Sequence, residues 1–129
     1  MARAPVRGGI YFVPDQTLVL LPSQLRKLIH AGRRHFVVLS GDETNQDDSW
    51  PIVTGCPVSS QKSWKTKFDV QLGAGEGGVQ KKCWVRVPAL QSIEKQHLED
   101  FTGLLDPLRL EQVDASIFWY LGQLPKPSV

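Results

Sequence analysis

Sulfur is scarce in this chain of 129 residues, which holds two cysteines, Cys56 and Cys83, and one methionine. Two thiols set in apolar stretches make neither a disulfide framework nor a cysteine metal centre, so both read as buried free thiols. Long apolar runs are missing as well. The longest near the N-terminus, Leu18-Val19-Leu20-Leu21, falls far short of the roughly 20 residues a membrane helix needs. No N-terminal stretch has the charged-then-apolar layout of a signal peptide, so the expectation is a cytoplasmic protein with no membrane association. No internal repeat appears. The acidic run Gly41 to Asp48 lacks the ligand spacing of a calcium loop and reads as a solvated connection. The glycines at 73, 75, 77 and 78 lead into no Gly-Lys-Ser/Thr terminus and no helix, which argues against a phosphate loop and for a flexible hairpin connection. No cofactor and no metal site is expected.

What is present suits one compact domain over 1–129. Residues in the hydrophobic class make up 41% of the chain, enough for a real core at this length. The formal charge of +2 hides an asymmetry. Residues 1–90 carry 12 Lys/Arg against 7 Asp/Glu, whereas residues 91–129 carry 3 against 6, as a basic sheet beside an acidic helical face would.

Arg34 stands at the head of an apolar strand running to Ser40. A second strand, Trp50 to Val58, runs into the hydroxyl pair Ser59-Ser60. An arginine opening one strand and a serine closing the next can meet at one end of a sheet, where a fixed cation and a hydroxyl could hold a phosphodiester. The plainer alternative is a solvated flank and a turn. Around this pair, Ile10 to Val13 form a first strand closed by Pro14-Asp15. Leu25, Leu28 and Ile29 then lie at helical spacing before Gly32. Lys67 to Leu72 alternates with Phe68, Val70 and Leu72 inward, and Cys83 to Val87 forms the next strand, with Trp84 and Arg86 on the face opposite the cysteine. Asp106 can cap a helix that has Pro107 in its first position and Leu110, Val113, Ile117 and Leu121 on one face; Gly122 can end it. The architecture expected is mainly β, a small and strongly curved antiparallel barrel core over about 9–94, with a packed amphipathic helix over about 106–122 and a tail over 123–129.

The ordered set Gly9-Ile10-Tyr11-Phe12-Val13, Arg34 to Ser40, Pro57-Val58-Ser59-Ser60, Leu90 to Glu94, Phe101 to Asp106 and the final helix resembles the MazF/PemK family of bacterial toxin endoribonucleases across about residues 9–122. The resemblance implies an SH3-like barrel and metal-independent cleavage of single-stranded RNA at short specific sequences, leaving a 2′,3′-cyclic phosphate. It also implies a homodimer with its groove across the interface, and inhibition by a cognate antitoxin. Matched residue by residue, the family's catalytic arginine falls on Arg34, its strand-ending threonine on Ser59, the following serine on Ser60, and a second arginine of the PemK branch on Arg86. The chain departs from the family in two places. His35 replaces the usual proline, and Pro88 stands where some members carry a carboxylate that is a candidate general base.

RNA supplies its own 2′-hydroxyl nucleophile, so the protein must take its proton, stabilise the phosphorane and protonate the leaving oxygen. His35 and His30 are candidate acid–base groups, with a pKa near the working range; strict alternation points His35 away from Arg34, and a solvated surface histidine is the plain reading of His30. Lys62, Trp64 and Lys65 after the serines, and Lys82 with Trp84 before the second arginine, interleave cations and aromatic rings as a single-strand-binding surface would. Either tryptophan could equally pack the barrel. The competing class is a non-catalytic protein on the same fold, either a gyrase poison of the CcdB kind or a decayed relative that only binds RNA or a partner. The ending Trp119-Tyr120-Leu121-Gly122 matches the former poorly.

Overall fold

The computed structural model describes residues 4–22 and 32–128. Strands β1 (Gly9–Pro14), β2 (Arg33–Val38) and β3 (Ile52–Ser59) form an antiparallel meander, followed by the short β4 (Val70–Leu72), β5 (Cys83–Val85), β6 (Gln91–Glu94) and β7 (Phe101–Leu104). The hydrogen-bonded order is β4-β5-β3-β2-β1-β7, with β6 also paired to β3. β3 is therefore shared. Ile52 to Gly55 pair with β6, while Val58 and Ser59 pair with β5. Gly55 sits at the change of partner, where an added Cβ would lie 1.9 Å from the Val37 carbonyl oxygen, so only a glycine lets the two strands approach so closely. This shared, bent strand turns the sheet into an open half-barrel, the curved antiparallel architecture expected from the sequence.

Both faces of the sheet are covered. Ile10, Val37, Cys56, Val58, Leu72 and Val85 form one core with Val113 of the helix α2 (Pro107–Tyr120). Tyr11, Val13, Phe36, Val38 and Val53 form a second, closed by Ile93 of β6 and by Leu18 and Leu20 from the connection after β1. α2 begins as its sequence signals: Asp106 accepts from the Leu108 N–H and Pro107 occupies the first helical position. Val113 is fully buried and Leu110 and Ile117 pack against the first core, but Leu121 lies past the helix end and is exposed. Gly122 takes φ +76, the left-handed conformation that terminates a helix.

Three loops differ from expectation. The glycine-rich connection is a packed turn rather than a flexible one. Gly78 (φ +83) would place a Cβ 2.2 Å from the Thr102 carbonyl oxygen, Thr102 Oγ1 donates to the Gly77 carbonyl, and Glu76 pairs with Arg109 of α2. This turn stops the gap between β4 and β7. The acidic run contains a one-turn helix α1 (Asp42–Asn45), and buried Asn45 donates to the Ser40 carbonyl oxygen and the Asp42 carboxylate. The strand expected over 67–72 shortens to β4 because Phe68 leaves the ladder to pack on Trp119 and Tyr120, while its carbonyl accepts from Ser116. The helix expected around Leu25 to Ile29, and His30 with it, lies outside the described residues. Among the described residues, no helix is long and apolar enough to cross a membrane.

Candidate active site

Strands β2 and β3 pair from Val38↔Gly55 to Phe36↔Pro57 and then part. Two residues further along the same register, Arg34 and Ser59 would face each other, so both side chains belong to one face at the splayed strand ends. On the other side of β3, Ser59 pairs with Trp84, and the Arg86 N–H donates to the Pro57 carbonyl oxygen at 2.9 Å. One row across the sheet thus reads Arg34, Ser59, Trp84, and the row two residues along, on the same face, reads Phe36, Pro57, Arg86. A cleft of about 340 Å³ opens at this end, lined by Arg34, His35, Ser59, Ser60, Lys81 and Arg86 among others.

Of the three arginines that line the cleft, Arg33 is paired at the surface with Glu99 and Asp100, whereas Arg34 and Arg86 each have one buried aspartate that nothing in the sequence singled out. Arg34 Nε donates to Asp15 Oδ1 at 2.7 Å and Nη2 to Oδ2 at 3.4 Å. Asp15 directly follows β1, the ladder neighbour of β2, and opens a single-turn helix (Asp15–Thr17) that is pinned when its own N–H donates to the Gly32 carbonyl oxygen. It closes the first strand, as the sequence suggests, and it is buried. Arg86 Nε lies 3.1 Å from Asp69 Oδ2. Its N–H is not aimed at the carboxylate, so the contact is an ion pair rather than a hydrogen bond. The Asp69 oxygens accept instead from Thr66 N, Thr66 Oγ1 and Val87 N at 2.9–3.1 Å.

Ser59 is almost buried, and its Oγ accepts the Gln61 N–H at 3.1 Å, which leaves its own proton free to donate. His35 and Arg34 do point to opposite faces: the His35 ring stacks on Phe12 at 4.4 Å while Arg34 reaches Asp15. Because the strands splay, both still line the cleft. Burial, and then the charge of Arg33, hold the His35 pKa below its ordinary value, and its Nδ1 is buried without a partner. The ring is therefore neutral at neutral pH and has an uncommitted nitrogen. Cys83 also lines the cleft, but burial pushes its thiol up to about 11, which keeps it protonated and a poor nucleophile.

The remaining sequence candidates lie apart from this cleft. Trp84 does not stand open in a groove. It is 5% exposed, and the Lys65 and Lys82 ammonium groups lie 5.6 and 5.8 Å from its ring centroid. Arg86, which does line the cleft, is likewise buried. Lys62 is exposed on the turn Lys62–Trp64, and Trp64 leans half-buried on the second core. Among the described residues, no group of three His, Cys, Asp or Glu is placed to hold a metal ion.

The family model described as "PemK-like, MazF-like toxin of type II toxin-antitoxin system" matches residues 7–121. The fold is similar to that of an endoribonuclease in complex with its cognate antitoxin from a mycobacterial species, with a TM-score of 0.67 at 19% identity, covering 98% of this chain and 100% of that one. It is also similar to MazF from Deinococcus radiodurans (TM-score 0.70, 20% identity, covering 94% and 99%) and to the Mycobacterium tuberculosis toxin MazF-mt6 (0.67, 14%, covering 88% and 96%). At such identities the likeness speaks for the fold. No curated protein matches the sequence.

Proposed function

The chain belongs to the PemK-like, MazF-like toxins of type II toxin–antitoxin systems, and from that premise we propose that it is an endoribonuclease that cleaves single-stranded RNA at short specific sequences without a metal. The observation that carries this reading is the single cleft holding Arg34, Ser59 and Arg86 at the splayed end of β2 and β3. Arg34 still has donors free beyond those given to Asp15, and a planar guanidinium matches the oxygens of a phosphate. Ser59 donates its hydroxyl proton to the same phosphate, and Ser60 shapes the turn beside it. The 2′-hydroxyl of the RNA attacks the adjacent phosphorus, and the bond to the 5′-oxygen breaks as that oxygen takes a proton from water in the open cleft and leaves as a 5′-hydroxyl. The charge gathering on the phosphorane is met by these donors and by Arg86. Neutral His35 is the cleft's candidate to receive the 2′-hydroxyl proton, in place of the carboxylate that Pro88 removes. Both carboxylates nearest the arginines, those of Asp15 and Asp69, are already committed to them.

Lys62, Lys65 and Lys82 carry the RNA backbone past the cleft. Trp84 supports two of these ammonium groups from beneath, and Trp64 braces the turn. The same basic surface would receive a cognate antitoxin, an acidic segment with apolar anchors that folds on binding and excludes RNA. The working unit is one domain over 1–129, acting in the cytoplasm as a homodimer. The test is incubation of the purified protein with a long single-stranded RNA in EDTA, with the ends mapped. Fragments ending in 2′,3′-cyclic phosphate and beginning with 5′-hydroxyl are expected. Cleavage abolished by EDTA and restored by magnesium would overturn the mechanism, and intact RNA in both conditions would favour a non-catalytic binder on this fold.

A further inference from the structure

The carboxylates beside Arg34 and Arg86 are buried, unlike Glu99 and Asp100, which hold the third cleft arginine, Arg33, at the surface. Asp15 has a side chain 6% exposed and Asp69 one that is 0% exposed, and each comes from a turn outside the strand that carries its arginine. We propose that Asp15 and Asp69 are positioning residues, which clamp the two guanidinium groups so that Arg34 meets the scissile phosphate through its end fork, Nη1 and Nη2. The proposal rests on the endoribonuclease reading. Its ground is the geometry of the Arg34 pair. The donors engaged are Nε and Nη2, the lateral edge of the guanidinium, and both Asp15 oxygens take part. The end edge of the plane is therefore directed away from Asp15, and the plane itself is fixed in two directions.

An arginine side chain otherwise carries rotamer entropy that it would lose on gripping a phosphate. A carboxylate that holds the fork in place removes that loss before the substrate arrives. It also cancels the net charge of the pair, so the cleft draws ground-state RNA less strongly than a bare arginine would. The donors remain aimed where the phosphorane gathers extra charge, which favours the transition state over the bound substrate. Asp69 acts from the other side of β3. By accepting from Thr66 and Val87 it ties the loop before β4 to the end of β5, and its charge holds Arg86 in an otherwise dry seat.

Asp15→Asn keeps the shape of the side chain and removes its charge. The clamp predicts a split in the kinetics: kcat on RNA falls by about tenfold or more, from misplacement of Arg34, while KM stays the same or falls. Asp15→Glu, which restores a carboxylate, should recover more of kcat than Asp15→Asn leaves. A readout that needs no cleavage runs alongside. The Nε–H resonance of Arg34, assigned by its loss in Arg34→Lys, should be protected from exchange in the wild-type protein and broadened or lost in Asp15→Asn, at an unchanged melting temperature. An unchanged kcat in Asp15→Asn, a raised KM with kcat intact, or an Arg34 signal that ignores the substitution would each overturn the clamp. Failure of the wild-type protein to cleave would sink the endoribonuclease reading alone, since the resonance still decides whether Asp15 holds Arg34.

Discussion

Arg34 enters the cleft from the head of β2, paired to β1 but parted from β3, with 21% of its side chain exposed and a hydrogen-bonded aspartate at its lateral edge. Arg86 enters from the end of β5 with 6% exposed, beside a carboxylate that has no exposure at all and whose hydrogen bonds come from other groups. The two seats share a residue pair and differ in what water can do. Around Arg34, solvent and substrate phosphate can exchange places. Around Arg86, the ion pair is sealed into the wall. The same chemistry therefore serves a working group in one seat and, in the other, a charged strut that also faces the cleft.

The strongest way to break that contrast is through Asp69. Removing one partner of a buried pair leaves the other charge uncompensated, so Asp69→Ala should cost about 3–5 kcal/mol of folding stability, read as a lowered urea midpoint. The equivalent loss at Asp15→Ala should be clearly smaller because Arg34 can turn to water. Equal losses would erase the distinction between the seats.

Ser59 stands between them. Ser59→Ala deletes a donor to the phosphate and should slow cleavage about tenfold, near 1.4 kcal/mol, with stability little changed. A loss as large as that of an arginine variant would make the serine, not the guanidinium, the principal group.

His35 offers the smallest effect. Its pKa in the folded protein lies below the ordinary value of 6.5, lowered first by burial and then by Arg33. The fold thus prefers the neutral ring. The stability tied to that preference is complete above the ordinary value and is lost as the pH falls from there through the lowered folded pKa. Thermal melts between pH 7.5 and 5 should show the wild-type protein losing more melting temperature than His35→Gln. Parallel curves would mean that the ring is not held neutral.

That Arg34 and Ser59 could share one end of the sheet was legible in the sequence, because an arginine at one strand head and a serine at the next strand's end can meet there, and both line the cleft. So was α2, from Asp106, Pro107 and the spacing of its apolar residues. Asp15 and Asp69 were not legible. They reach their arginines from turns 19 and 17 residues away in sequence, and no periodicity marks a contact of that kind. Alternation puts Trp84 and Arg86 on the face opposite Cys83, which suits a groove and a packed wall equally, and it does not say which. In this sheet both faces are covered, by α2 on one side and by the connection carrying Leu18 and Leu20 on the other, so alternation decides which core a residue joins rather than whether it is buried. The glycines at 77 and 78 carry no signal of their packing because their neighbours, Ile10 and Thr102, come from β1 and β7.

The claim that Arg34 is the working cation is tested most directly by single-turnover cleavage of a single-stranded RNA in EDTA by the wild-type protein and Arg34→Ala, with melting temperatures taken on the same samples. Loss of one preorganised charged donor should raise the barrier by about 3 kcal/mol, about a hundredfold in rate, while the melting temperature stays close to that of the wild-type protein. An Arg34→Ala protein that melts normally and cuts at the wild-type rate would place the catalytic centre elsewhere.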